Sequence, residues 1–442
     1  MGLTAEIGSF VAGMRTSVVP PEALQPVRSG FTDCIAVMLA GRNEPVSHIV
    51  AESVGAVFRK DRVLLDGVAA PSAALAYGTA AHALDYDDVG LSGHPSAVLV
   101  PAILAEANEV NASGELMARA YIAGYEVWGE LIGRDKDSHH LKGWHPTAVF
   151  GAVAAACACA VLRGLDAEKA AAAAGTAASM AGGITANFGT MTKPFQVGRA
   201  AQSGVQAARL AARGFTAAPD IFEHELGFLQ ALSPHGNVDT ESPATLGREW
   251  RILQRGVNIK LYPVCYSAHR ILDAMIGMMR RDELKANDIT GIEVEMGDTS
   301  AAVLRNHRPQ TGLDAKFSAE FAMAAAAIAG RCGLSEVNDG FVRRPDVQAF
   351  FPKVAVKALT ERSVEEPIHS PFDRVRVILR DNRAVQSEPV SFPRGHFKNP
   401  VDADALWSKF SDCIDGAPLD AKRLFDRLQN VDRLASIAGI ES

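Results

Sequence analysis

Aromatic side chains are scarce in this sequence, at 7% of 442 residues, and no apolar run is both long and strongly hydrophobic. The longest, 147–162, is mostly alanine and stops at Arg163. It is too short and too weakly hydrophobic to span a bilayer and reads as a buried helix. Neither a basic segment nor an apolar one follows Met1, and Glu6 stands where a myristoylation signal wants Ser or Thr, so no targeting segment is expected. Cysteine is sparse too. The six residues at 34, 157, 159, 265, 332 and 413 form no Cys-x-x-Cys pair, which excludes zinc-finger spacing and dithiol redox chemistry and fits a reducing cytoplasm. Positive charge is not in excess: a net charge of -7 and a pI near 6.0 offer no general attraction to nucleic acid or to an anionic membrane. Any anionic ligand must therefore be held by local positive groups.

What is present in quantity is alanine, glycine and helix punctuation. The length exceeds what one hydrophobic core usually serves, so two domains are expected. Up to about residue 260 the signals are helical: Pro20-Pro21 and Pro71-Ser72 open helices, and Asp166 is a good N-cap for the alanine run after it. Alanine, glycine and serine dominate 151–214, which lets helix axes approach closely. Past Pro263 the texture changes. Ile292 to Met296 and Val375 to Leu379 alternate with period two, with apolar helices expected at about 266–280 and 316–329. After Pro400 helical signals return, with Asp402 as a cap and an amphipathic pattern through Leu424 and Leu428. The tail could pack back on the first domain.

Four clusters carry chemistry-bearing residues. The first, 81–96, holds Asp85, Asp87, Asp88, His82 and His94 and ends in a Gly-His-Pro turn before an apolar helix; a helix N-terminus there favours anions. An acidic loop that merely ends a helix is the plain alternative. The second, Gly143-Trp-His-Pro-Thr147, sets His145 before a helix in the same way. Two imidazoles flanking one pocket could act as acid and base, although a histidine at a helix start is commonly just a cap. The third, 187–200, is a glycine-punctuated loop carrying Lys193 and leading into a helix with Arg199; it suits an anion, but it lacks the order of a Walker phosphate loop. The fourth, 258–269, holds Lys260, Cys265 and His269 at the boundary between textures, where pockets often form. Cys265 and His269 are four apart, so on one helix they would share a face as a thiolate–imidazole pair.

In this order, His82-x-x-Asp-Tyr-Asp-Asp88 with His94-Pro-Ser96, Gly143-Trp-His-Pro-Thr147, Thr192-Lys-Pro-Phe195 with Gly198-Arg-Ala-Ala201, and Lys260-x-Tyr-Pro263 resemble the MmgE/PrpD family nearly end to end. That family includes 2-methylcitrate dehydratase, cis-aconitate decarboxylase and iminodisuccinate epimerase. The resemblance implies a mostly α fold with a smaller α+β lid domain. The large all-helical domain would be formed by both chain ends, 1–262 and 396–442, and the lid by 263–395. It also implies a homodimer and no metal or organic cofactor. By position in the motifs, the family's active-site residues fall on Asp85, His94, His145 and Lys193. Three positions depart: the decarboxylase's threonine is Val89 here, a tyrosine of the lid helix is Phe321, and a histidine is Cys265.

The expected chemistry is therefore acid–base work next to a carboxylate of a small polycarboxylate. Lys193, Lys260 and Arg199 are candidates to stabilise the enolate-like charge, and Val89, Cys265, His269 and Phe321 complete the candidate substrate wall. One of His145 and Lys193 would take the carbon-bound proton, and His94, held by Asp85, would deliver one. Elimination of water, as in 2-methylcitrate dehydratase, is the leading reading. Epimerisation of a dicarboxylate such as iminodisuccinate, decarboxylation of cis-aconitate, and a non-catalytic helical protein that binds a small acid are its rivals.

Overall fold

The computed structural model of the protein describes residues 1–365 and 369–441. By its internal contacts the chain divides into two compact units, residues 1–258 with 403–442, and residues 259–402. Both chain ends thus build the first unit, and Lys260, drawn above into the helical part, falls in the second.

The longer helices, in chain order, are α1 (Leu3–Gly13), α2 (Leu24–Gly41), α3 (Pro45–Ser53), α4 (Ala70–His82), α5 (Pro95–Val110), α6 (Gly114–Ile132), α7 (Pro146–Arg163), α8 (Ala167–Met180), α9 (Thr192–Ala211), α10 (His269–Arg281), α11 (Ala319–Ala329), α12 (Ala403–Cys413) and α13 (Ala421–Leu428). Proline in the first turn starts α4, α5 and α7, where its missing N–H removes no helical bond. At α8 the Asp166 carboxylate accepts the Lys169 N–H at 2.9 Å, the cap its sequence called for. Every residue of α7 except Arg163 is buried. This alanine-rich helix is long and apolar enough to cross a membrane by composition alone, but here it is a core helix.

Small residues decide how closely the first unit's helices pack. A Cβ built on Gly78 of α4 would lie 2.8 Å from the Cα of Gly198 on α9, and one on Gly198 would lie 2.3 Å from the Leu75 carbonyl oxygen. Only two glycines facing each other allow this crossing. Its result is functional: the C-terminal end of α4 lies beside the N-terminal end of α9.

The second unit carries a four-stranded mixed sheet in the order β2-β1-β3-β4, from β1 (Ile289–Gly297), β2 (Val354–Leu359), β3 (Arg374–Leu379) and β4 (Ala384–Gln386). β1 runs parallel to β2 and antiparallel to β3. Ile292, Val294, Met296, Val375 and Val377 are buried with α10 and α11 in one core, the consequence of the period-two pattern. Residues 266–268 form a 3-10 turn, so α10 begins only at His269. Phe321, on α11, is fully buried in that core and meets Phe341 edge-on at 6.3 Å.

Candidate active site

Within the first unit, three histidines, two aspartates and a lysine converge where α4, α5, α7 and α9 begin or end. The segment after α4 is tightly bent. Asp85, Leu91 and Ser92 have φ of 53°, 49° and 57°, a left-handed backbone that costs non-glycine residues of order 1 kcal/mol or more each and persists only where neighbours fix it. Those neighbours are identifiable. Gly90 and Gly93 exchange backbone hydrogen bonds at 2.9 and 2.8 Å, and Val89 pairs with Asn258 through bonds of 2.9 and 3.1 Å. The Trp128 indole donates to the Leu91 carbonyl at 3.1 Å.

The acidic residues are not a solvated helix end. Asp87 and Asp88 are both fully buried. Asp88 accepts the Ser96 N–H at 3.2 Å and its hydroxyl at 3.0 Å, so it caps α5. His94 stands at the N-cap position but its side chain caps nothing, and the α5 N-terminus is already taken by Asp88 rather than open to a substrate carboxylate. Burial, then Asp33 and Asp87, push the Asp88 carboxyl well above its usual range.

His94 directs Nδ1 to the Asp87 carboxylate at 2.9 Å and shares it with the Asp88 carbonyl, also at 2.9 Å. The expectation that Asp85 holds this ring is corrected: the carboxylate behind His94 is Asp87. Asp85 instead pairs with Lys193, Oδ1 to Nζ 2.8 Å. Lys193 sits not on a loop but in the first turn of α9, where the helix dipole disfavours a cation and the Asp85 charge offsets it. Its ammonium also lies 5.2 Å from the Phe188 ring centroid.

The third histidine is His82, counted in the first cluster by sequence but given no role there. From the last turn of α4 it places Nδ1 2.9 Å from both Asp87 oxygens. Its ring is 4.5 Å from that of His94 and 6.2 Å from that of His145. Burial opposes ionisation of Asp87, but the two imidazoles outweigh it and hold the carboxyl well below its usual range. Burial foremost lowers His82 to about 4.

His145 is held differently. Its Nδ1 lies 2.8 Å from the Gln196 side-chain oxygen, and the Gln196 amide nitrogen donates to the Ile184 carbonyl at 3.1 Å. With the amide oriented that way, Nδ1 must carry the proton, which leaves a lone pair on Nε2. Burial, then His82 and Lys193, push this imidazole down to about 2. It also caps no helix.

Arg199 is exposed and donates to Gln202; six residues past Lys193 it is turned about 240° around α9, whereas Gln196, three residues on, stays on the Lys193 side. Lys260, Cys265, His269 and Phe321 belong to the second unit. Lys260 is buried. Cys265 precedes the 3-10 turn instead of sharing α10 with His269, so the same-face pair does not arise, and His269 Nε2 lies 3.3 Å from the Val264 carbonyl oxygen.

His82, Asp85, Asp87 and His94 each offer one donor atom within 4.8 Å of the others, a spacing a cation could use. Here the Nδ1 atoms bond to Asp87 and Asp85 pairs with an ammonium, so a cation would compete with an existing proton network.

Comparison with known proteins bears on this cluster directly. The MmgE/PrpD N-terminal domain matches residues 5–241 and the MmgE/PrpD C-terminal domain matches residues 262–431. The chain belongs to the MmgE/PrpD family. The cis-aconitate decarboxylase-like protein oryM of Aspergillus oryzae is 26% identical over 97% of this chain and 93% of its own length. The cis-aconitate decarboxylase of Aspergillus terreus is 26% identical over 99% and 94%, and that of Homo sapiens is 26% identical over 76% and 71%. The proton network of this MmgE/PrpD protein lies wholly within the span of the N-terminal domain match.

Proposed function

We propose that this protein is a cofactor-independent lyase of the 2-methylcitrate dehydratase type, acting on a small di- or tricarboxylate. His145 Nε2 takes the proton from the carbon next to a carboxylate, and His94, backed by Asp87, gives a proton to the departing hydroxyl. The C–H pair becomes the new double bond, the C–O bond breaks, and water leaves. Exchange with solvent then returns the proton from His145 and resupplies His94. Lys193, oriented by Asp85, faces the enolate-like charge that develops at the carboxylate.

The observation that carries this reading is the contrast between the two rings. One imidazole leans on a buried carboxylate, and the other on an amide in a desolvated site, where burial favours its neutral form. Environments that separate two like groups in this way assign an acid and a base. Negative charge on a bound polycarboxylate raises the basicity of His145 when it is needed.

The relatives' names favour decarboxylation of cis-aconitate as a second reading. Against it stands Val89, in the loop that carries Asp85 and Asp87, where the resemblance sets a threonine. A lost hydrogen bond to a charged group is worth about 1.5–3 kcal/mol, so the missing hydroxyl at Val89 disfavours that substrate. The test is turnover of 2-methylcitrate, citrate, cis-aconitate and iminodisuccinate in deuterated water. An unsaturated product absorbing in the ultraviolet supports the dehydratase. Label uptake without loss of water means an epimerase, carbon dioxide release means a decarboxylase, and neither exchange nor product favours a non-catalytic binder of small acids.

A further inference from the structure

His82 has no place in the reaction just described, yet it is the ring nearest to His94. Its side chain and that of Asp87 are both fully buried. Asp87 Oδ2 receives the Nδ1 atoms of both histidines at 2.9 Å, and the rings meet edge-on, 4.5 Å apart at 66°. A buried histidine with a purely structural role normally satisfies both nitrogens. The Nε2 of His82 has no hydrogen-bond partner among the described residues, so the hydrogen bonding of this ring is directed at Asp87 alone.

We propose that His82 is a positioning residue that tunes His94 through the carboxylate they share. The inference rests on His94 being the proton donor of the reaction above. An ionised carboxylate between two N–H donors divides its charge between them, so the His82 donor weakens the hold of Asp87 on His94 and keeps its proton transferable. His82 itself stays neutral: burial is the main cause, and Lys193 and His94 add to it against Asp87. The charged or titratable groups facing it are Asp87 and His94 from the loop, Lys193 with its partner Asp85, and His145 from α7.

Two variants separate this role from packing. His82→Leu removes the donor, and His82→Asn places an amide N–H near the former Nδ1. The readouts are the proton resonance of the His94 Nδ1–H in histidine-labelled protein and the alkaline-side inflection of log kcat/KM against pH, where loss of the proton from the donor shows. In His82→Leu the resonance should move downfield and the inflection should rise by roughly half a unit to one unit, the scale of one hydrogen bond to a shared carboxylate. In His82→Asn both should stay near wild type. A His82→Leu enzyme that loses only kcat or thermal stability, with resonance and inflection unmoved, overturns the proposal.

Should His82→Leu fail to fold, nitrogen shifts of the wild-type protein decide instead. His82 must be the neutral Nδ1–H tautomer from pH 5 to 8, and an Nε2–H tautomer overturns the proposal equally. A protein inactive on every acid tested, but with the resonance moved, contradicts the lyase reading and leaves this coupling standing.

Discussion

Two imidazoles held neutral by burial are a residue-scale fact with a pH signature. His82 and His145 are pushed down to about 4 and about 2, chiefly by burial, whereas an unfolded histidine titrates near 6.5. Below that pH the unfolded chain binds more protons than the native one. The stability these neutral rings contribute is therefore complete above about pH 6.5 and falls as pH drops, by roughly 1.4 kcal/mol per pH unit for each ring until its native pKa is reached. Thermal melts should give a Tm that is level from pH 7 to 8 and declines from pH 6 to 4.5, and a Tm unchanged over that interval would contradict the neutral buried rings. Asp85 tests the other pair. Asp85→Asn keeps a residue type that tolerates the left-handed backbone but removes the charge opposite Lys193, so the variant should fold with kcat down about tenfold or more. Activity equal to wild type would remove Asp85 from the site.

The elements show how much of this the sequence could reveal. Asp85, His94, His145 and Lys193 were legible because their motifs occur in one order, and the starts of α4 and α8 were legible from a first-turn proline and a capping aspartate. Their partners were not. Nothing local says that Asp87 rather than Asp85 lies behind His94, because the left-handed turn at Asp85 reverses which carboxylate points inward. Gln196 could have been found from its i+3 spacing to Lys193, and Arg199 excluded by the same helical arithmetic. β2 escaped notice because an edge strand, half of whose residues are exposed, carries a weak buried-exposed rhythm. The crossing of α4 on α9 is an element-scale prediction. Gly198→Ala places a methyl group where the Leu75 carbonyl already lies within 2.3 Å, so it should destabilise the protein by about 1–3 kcal/mol, as overpacking does. A melting temperature equal to wild type would mean that the helices part without strain.

For the molecule as a whole, the C-terminal segment is a working part of the site's support. From α12, Lys409 pairs with buried Asp33 of α2 at 2.5 Å, donates to the Tyr86 carbonyl at 2.7 Å and lies 4.0 Å from the Tyr86 ring centroid. A cation from the end of the chain thus fastens the loop between Asp85 and Asp87. Lys409→Met should cost about 3–5 kcal/mol, because it takes from a buried carboxylate its cation, and Asp33→Asn in the same chain should recover part of that loss; urea unfolding midpoints measure both. The central claim concerns turnover, and isotope exchange tests it most directly. With an acid that the wild-type enzyme converts, the rate at which its carbon-bound proton exchanges with deuterated water is measured in His145→Gln and His94→Gln. The account expects His94→Gln to exchange that proton while forming product about a hundredfold or more slowly, and His145→Gln to do neither. Exchange at the wild-type rate in His145→Gln would contradict it.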